Sequence, residues 1–354
     1  MAKIKVLHVI TDKDVGSAGQ QLLVLFHNSS PAFELHALIP EDSQLIPLLK
    51  KFKIPYVLYN ANHHSPKAEL KAIAREIKKI SLDIVHTHSA LDGRIPISPS
   101  SKFKRVHTQH TTEESGFFAR LANNRLNIHA IATSEATRKV LLQMGIADTK
   151  ISTIYDGVKL VKDYKNECPE LRKPFDIPQD AFVATCITGL TKDCDYLLDT
   201  AKELPYNVVV CIASENGANN YAEQLQIRVE KENLQNVRLL PNIDNINKIL
   251  GITDVQINLS QSPEHIPHSI LYGMSASKPA ISANFDKYVV DNDINGLLIA
   301  PSDPEALDDA IIRLKNDHDL YERLSKGAIR RYNERFTVSG MVAKLEAIYR
   351  ELGV

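Results

Sequence analysis

Short, almost continuously apolar runs rich in β-branched residues alternate with stretches of helical periodicity from one end of this chain to the other. Runs of that kind are expected of parallel strands covered by helices on both faces, because neither side of such a strand meets water. A first series is predicted at Lys5–Ile10, Leu35–Ile39, Tyr56–Tyr59, Asp83–Thr87, Arg105–Thr108, Ala130–Ala132 and Ile151–Ile154. A second follows at Ala181–Ile187, Val208–Ile212, Val237–Leu240, Val255–Leu259, Pro279–Ala283 and Gly296–Ile299. Between them, Lys159–Gln179 is charged and punctuated by Pro169, Pro174 and Pro178, the composition of an interdomain linker. Helical periodicity closes the chain at Pro304–Asn316, His318–Arg335 and Val338–Leu352. The expectation is an α/β protein of two doubly wound, Rossmann-like domains: residues 1–160, a linker over 161–180, and residues 181–335. In such sheets ligands lie beyond the carboxyl ends of the strands. Two such domains facing each other would put one site in the cleft.

At 354 residues the chain is too long for one ordinary α/β domain and comfortable for two. Its 44% hydrophobic and 24% charged residues are those of a soluble globular protein with full cores. A net charge of -1 gives no general reason to expect a nucleic acid partner. Cys168, Cys186, Cys194 and Cys211 show no C-x-x-C spacing. They read as buried apolar side chains in a reducing compartment, not as a disulfide frame or zinc cage. The first apolar run is too short and interrupted for a signal peptide, and no run approaches membrane-spanning length. A cytoplasmic protein, at most peripheral on the inner face of a membrane, is expected.

Four segments carry candidate chemistry. Gly16-Ser17-Ala18-Gly19 lies between the first strand and a helical run. Small residues in such a turn let backbone N–H groups approach an oxyanion, and equally they permit tight packing of strand against helix. By alternation His86 and His88 share one face at the end of their strand, and His107 and His110 end the next. No cysteine or carboxylate is placed to complete a tetrahedral set, so no metal is expected there. His86 and His107 read equally well as core residues held by hydrogen bonds. The third segment, Gly189-Leu190-Thr191-Lys192, leaves the first strand of the second series and enters a helix at Asp195. It offers one cation, Lys192, which is otherwise a solvated surface side chain. The fourth runs from Ser262 through Glu264, His268, Ser269 and Ile270 to Tyr272, a polar loop opening a short helix whose first N–H groups face an anion.

These segments, in this order along nearly the whole chain, resemble those of the retaining glycosyltransferases of family 4. In that family a Glu, a turn and a second Glu eight residues on grip a nucleotide sugar; Glu264 matches the first and Tyr272 stands at the second. The resemblance implies the GT-B fold, with a C-terminal helix (336–354) crossing back onto the first domain. It also implies roles residue by residue. Lys192 neutralises the leaving diphosphate, Glu264 positions the donor sugar, and His110 organises the reacting face, with His88 on the acceptor side. Gly16, Ser17, Gly189, His268, Ser269, Ile270 and Tyr272 contact the donor. Gly189 stands where the family has an arginine, and Tyr272 offers the ribose one hydroxyl where the family offers a carboxylate. No metal or other cofactor is implied.

The implied activity is retaining transfer of a sugar from a nucleoside diphosphate donor, with UDP expected, to a glycan or lipid-linked acceptor in surface polysaccharide or lipopolysaccharide biosynthesis. Two alternatives stand beside it. One is a non-catalytic subunit of the same fold that binds a partner enzyme or glycan, favoured by the missing arginine and by Tyr272. The other is a nucleotide-sugar epimerase. Lastly, Lys67, Lys71, Arg75 and Lys78 follow one face of a helical stretch, opposite Leu70, Ile73, Ile77 and Ile80. That face is either a solvated exterior or a contact for anionic lipid, where a lipid-linked acceptor would be met.

Overall fold

The computed structural model describes residues 3–61, 65–88, 102–112, 129–161, 168–188, 190, 194–214, 220–243, 245–259, 266–283 and 289–353. The chain forms two compact units, Met1–Gly157 with Val338–Val354, and Val158–Thr337. Lys192, Glu264 and Gly189 lie outside the described residues.

The first unit holds seven parallel strands: β1 (Ile4–Val9), β2 (Phe33–Pro40), β3 (Tyr56–Tyr59), β4 (Ile84–Thr87), β5 (Lys104–Gln109), β6 (His129–Ala132) and β7 (Ile151–Thr153). Their order is β3-β2-β1-β4-β5-β6-β7. The winding direction therefore reverses between β1 and β4, which pair from Val6↔Ile84 to Val9↔Thr87. Beyond the carboxyl ends of those two strands a crevice opens in any sheet of this topology. Alternation sends Val6, Ile84, Val106 and Ile131 to one face, where they meet Met341, Val342, Leu345, Ile348 and Tyr349 of the Val338–Gly353 helix. Leu7, Val9, Leu38 and Val85 face the other way, onto Ile73, Ala74 and Ile77 of the Pro66–Ile77 helix. Each large apolar side chain removed from water in this way stabilises the unit by about 2 kcal/mol. The C-terminal helix is pinned as well as buried. Its Glu346, 5% exposed, accepts from the amide of Ser30 at 2.6 Å and the Ser30 hydroxyl at 3.1 Å.

The second unit holds β8 (Phe182–Ile187), β9 (Val208–Ala213), β10 (Val237–Leu240), β11 (Val255–Asn258), β12 (Ala280–Ser282) and β13 (Gly296–Leu298), in the order β10-β9-β8-β11-β12-β13. All neighbours are parallel, and here the reversal falls between β8 and β11. The two ends of the unit are tied to each other: the amide of Val158 donates to the carbonyl of Phe336 at 2.9 Å, and the Tyr332 hydroxyl to the carbonyl of Val158 at 3.0 Å.

One expectation is corrected. The segment assigned to a linker is, over its described part, folded into the second unit. Cys168–Arg172 is helical, and Leu171, Phe175 and Ile177 join a core with Val183, Val209, Ile249 and Ile252. Buried Arg172 donates to the carbonyls of Pro178, Gln179, Ala181 and Ile252 and to the carboxylate of Asp254. The prolines shape a turn whose carbonyls one guanidinium gathers, a use that charge and proline content do not distinguish from a flexible spacer.

Candidate active site

In the first unit, polar side chains replace apolar ones on the helix-covered face of β1, β4 and β5 as these strands approach their carboxyl ends. His8 of β1 lies opposite His86 of β4, and His88 and His110 follow just past the ends of β4 and β5. All four are buried. His8 Nδ1 lies 2.9 Å from His88 Nε2, and His88 Nδ1 lies 3.2 Å from His110 Nε2. The result is a hydrogen-bonded row of three imidazoles. His86 stands beside it, its ring 4.2 Å from that of His88. Its Nδ1 is 2.6 Å from the Tyr349 hydroxyl and its Nε2 is 2.7 Å from the Thr108 hydroxyl. On the opposite face, His107 lies between the Thr87 hydroxyl at 2.9 Å and Gln109 Oε1 at 3.1 Å. His86 and His107 are thus hydrogen-bonded core residues.

Burial penalises an imidazolium. It pushes His8 down to about 3, and it carries His86 and His88 well below 6.5, with neighbouring histidines adding to the effect. The rings are neutral. His8, His86 and His88 bring nitrogens within 4.8 Å of one another, close enough to consider a cation. Yet the 2.9 Å contact between His8 and His88 is shorter than the separation of about 3.3 Å that two nitrogens keep on one tetrahedral zinc ion. Both nitrogens of His86 are taken by hydroxyls. Hydrogen bonding accounts for the cluster. His88, expected beside an acceptor, has one ring nitrogen within hydrogen-bond distance of His8 and the other within hydrogen-bond distance of His110.

The Gly16 turn follows β1 and opens the Gly16–Asn28 helix. Gly16 has φ +48 and open space where a Cβ would stand, so backbone conformation is what asks for glycine there. Gly19 is the packing position, since its Cβ would fall 2.8 Å from Leu45 Cδ2. Ser17 is half-buried. Gln21 Nε2 donates to Asp156 Oδ1 at 2.7 Å, tying this helix to the chain beyond β7.

In the second unit a pocket opens at the carboxyl ends of β11 and β12. Asn258 and Ser282 line it with Ile266, Pro267, Ile270, Val289 and Val290. The His268–Ser275 helix starts there behind Pro267, with no side chain capping it. Of its expected phosphate-facing amides, that of Ile270 donates to the Pro267 carbonyl at 3.0 Å, while the Ile270 side chain lines the pocket. Ser269 contributes a first-turn N–H that has no acceptor within the helix. His268 and Tyr272 are half-buried, and Tyr272 lies near enough to Tyr332 to add to the upward shift that burial gives that phenol. After β8, Leu190 turns the chain with φ +52 while its side chain is buried in the core. Sequence reasoning missed His8, Asn258 and Ser282. The available signal was a polar residue near the carboxyl end of an otherwise apolar strand.

Two doubly wound parallel sheets in one chain, each with its polar residues collected at strand ends beside the winding reversal, define the GT-B architecture. The family model described as Glycosyltransferase Family 4 matches residues 16–162, and that described as Glycosyl transferases group 1 matches residues 169–331. The chain belongs to the family 4 glycosyltransferases, and it is a glycosyltransferase. An Escherichia coli protein named UDP-Gal:alpha-D-GlcNAc-diphosphoundecaprenol alpha-1,3-galactosyltransferase is 25% identical over 358 residues, covering 91% of this chain and 90% of that one. Among solved structures, a glycosyltransferase from Rickettsia africae ESF-5 superposes with a TM-score of 0.83 at 20% identity, over 99% of this chain and 98% of its own. Anabaena HepE in complex with UDP superposes with a TM-score of 0.84 at 18% identity, over 98% of this chain and 100% of its own.

Proposed function

We propose that this glycosyltransferase moves a hexose from a UDP-sugar to a lipid-linked or glycan acceptor, with retention at the anomeric carbon, in the assembly of a surface polysaccharide or lipopolysaccharide. One observation carries the reading: each chemistry-bearing segment leaves the end of a strand at or beside the reversal of its own sheet. Gly16 follows β1, His88 and His110 follow β4 and β5, Leu190 follows β8, and the His268–Ser275 helix follows β11. The name of the Escherichia coli relative supports a UDP-linked donor and a diphosphoundecaprenol acceptor, and HepE supports UDP.

In this reading the second unit holds the donor. The diphosphate meets the amide of Ser269 at a helix start, where backbone N–H groups and the helix dipole favour an anion. Lys192 supplies the cation. Charge grows on the diphosphate as the glycosidic bond breaks, so both groups stabilise the transition state more than the bound donor. Glu264 positions the sugar hydroxyls, Tyr272 contacts the ribose, and His110 organises the reacting face. Calorimetry with UDP and GDP is the direct test. UDP binding without GDP binding is expected, and a protein that binds neither nucleotide ends the UDP-sugar proposal.

A lipid-linked acceptor also gives a use to the exposed Lys67, Lys71, Arg75 and Lys78. Among the described residues no helix is long and apolar enough to cross a membrane. We assign this basic face to peripheral contact with anionic lipid.

A further inference from the structure

We propose that Gln109 and Thr133 are positioning residues for His110, holding the backbone immediately before and after it.

His110 follows β5, whose last ladder position is Gln109, opposite Ala132 of β6. Two side chains bind the main chain there. The Thr133 hydroxyl donates to the carbonyl of Gln109 at 3.1 Å, and Gln109 Nε2 donates to the carbonyl of Thr111 at 2.7 Å. One peptide carbonyl on each side of His110 is therefore held, and both side chains that hold them are buried. Moving either peptide breaks a hydrogen bond that water is poorly placed to replace.

The two anchors are themselves fixed. Thr133 lies between the end of β6 and Ser134, the cap of the Glu135–Gln143 helix. Ser134 and Thr137 exchange hydrogen bonds there at 2.9 and 3.1 Å. Gln109 is oriented by what its amide meets. The Thr111 carbonyl has no proton to give, so the amide nitrogen faces it and Oε1 faces His107 Nε2, 3.1 Å away. That contact is a hydrogen bond only when His107 carries a proton on Nε2. Burial disfavours a second proton on the ring, so Nδ1 accepts from the Thr87 hydroxyl at 2.9 Å. A line of contacts thus runs from Thr87 of β4 through His107 and Gln109 of β5 to the turn that carries His110.

With both neighbouring carbonyls held, the His110 ring meets the sugar or the acceptor in one place. Placement of a group on the reacting face counts in the transition state more than in donor binding, which the second unit supplies. That consequence rests on the proposed sugar transfer; the bracket around His110 does not.

Each anchor is removed by a variant of similar size, Gln109→Met and Thr133→Val, while Thr133→Ser keeps the hydroxyl. In turnover assays the first two are expected to lower kcat about tenfold at unchanged KM for the nucleotide sugar. Thr133→Ser is expected to keep the parent kcat. Long-range proton–nitrogen NMR on protein labelled in its histidines reads the bracket itself, with His107 and His110 assigned by loss of their signals in His107→Gln and His110→Gln. The parent is expected to show His107 protonated on Nε2 and bare on Nδ1. The His110 signals are expected to shift in Gln109→Met and Thr133→Val and to stay in Thr133→Ser. His107 protonated on Nδ1, His110 signals unmoved by both removals, or a raised KM at unchanged kcat overturns the proposal. If Gln109→Met does not fold by circular dichroism, Thr133→Val against Thr133→Ser decides alone. A parent without sugar transfer ends the functional half, and the His110 signals still decide the bracket. A parent that transfers sugar, with variants whose kcat and His110 signals match its own, removes the bracket and keeps the activity.

Discussion

At the scale of single residues, this chain spends buried polar atoms where its strands end. Tyr349 shows the accounting most clearly. Its ring is fully buried against Phe33 and the apolar face of β1 and β4, and its hydroxyl is the partner of His86 Nδ1. Tyr349→Phe keeps the packing and strands one buried nitrogen, so a loss of about 1–3 kcal/mol is expected from urea unfolding. A variant as stable as the parent means that His86 finds another donor. Gly327 answers to close approach instead. A Cβ at this position of the His318–Arg335 helix would fall 1.8 Å from the carbonyl oxygen of Ile294, a backbone atom with no rotamer to yield. Gly327→Ala is expected to cost about 2 kcal/mol or more and to lower the melting temperature measured by circular dichroism. No change in melting temperature would mean that the helix shifts freely along the Asp291–Gly296 turn.

At the scale of elements, strand positions and most helix starts were legible because local signals and tertiary demand agree. Asp303 accepts from the amide of Ala306 at 3.0 Å with Pro304 in the first turn, and Asp317 accepts from the amide of Leu320 at 2.9 Å. Both starts are written in the sequence as a capping side chain before an apolar period. The turn between Phe175 and Ala181 was misread because the signal that separates it from a linker, Arg172 reaching several carbonyls, is made only in three dimensions. His8 was missed for the same reason, since its partner His88 is eighty positions away and one polar residue in a strand says nothing of what it meets. The Pro66–Ile77 helix was legible in its pattern but not in its use. Its Ile73, Ala74 and Ile77 are buried and its lysines are outside, as in any half-exposed helix. Elsewhere in the unit, Lys50, Lys51 and Lys53 flank Phe52, which is 47% exposed. Exposed basic side chains around an exposed aromatic suit a lipid headgroup layer. Liposomes rich in anionic lipid are expected to pellet the parent and to release Lys71→Glu/Arg75→Glu, whereas neutral liposomes pellet neither. Equal pelleting of the variant and the parent on anionic liposomes removes the lipid contact.

At the scale of the whole molecule, the two units should respond differently to acid, because only the first stores neutral imidazoles in its described core. His8, His86, His88, His107 and His129 are all held below 6.5 by burial. In the unfolded chain they titrate near 6.5, so below that pH the unfolded state binds protons that the folded state refuses. Stability is then fully present above about 6.5 and falls as the pH drops, for His8 down to about 3. Each such histidine contributes up to about 1.4 kcal/mol per pH unit over its window. In the second unit the half-buried Asp254 carboxyl is shifted up, by desolvation against the opposing help of Val183 and Arg172, and its linkage has the opposite sign. Acidification from pH 7.5 to 5 should therefore loosen the first unit ahead of the second. Hydrogen exchange read by peptide, corrected for intrinsic rates at each pH, distinguishes them: protection across β1, β4 and β5 is expected to fall by more than protection across β8, β9 and β11. Equal losses in both sets would mean that the histidine row is hydrated and titrates freely. In that case the neutral imidazoles that link the core of the sheet to His110 are not kept neutral by burial.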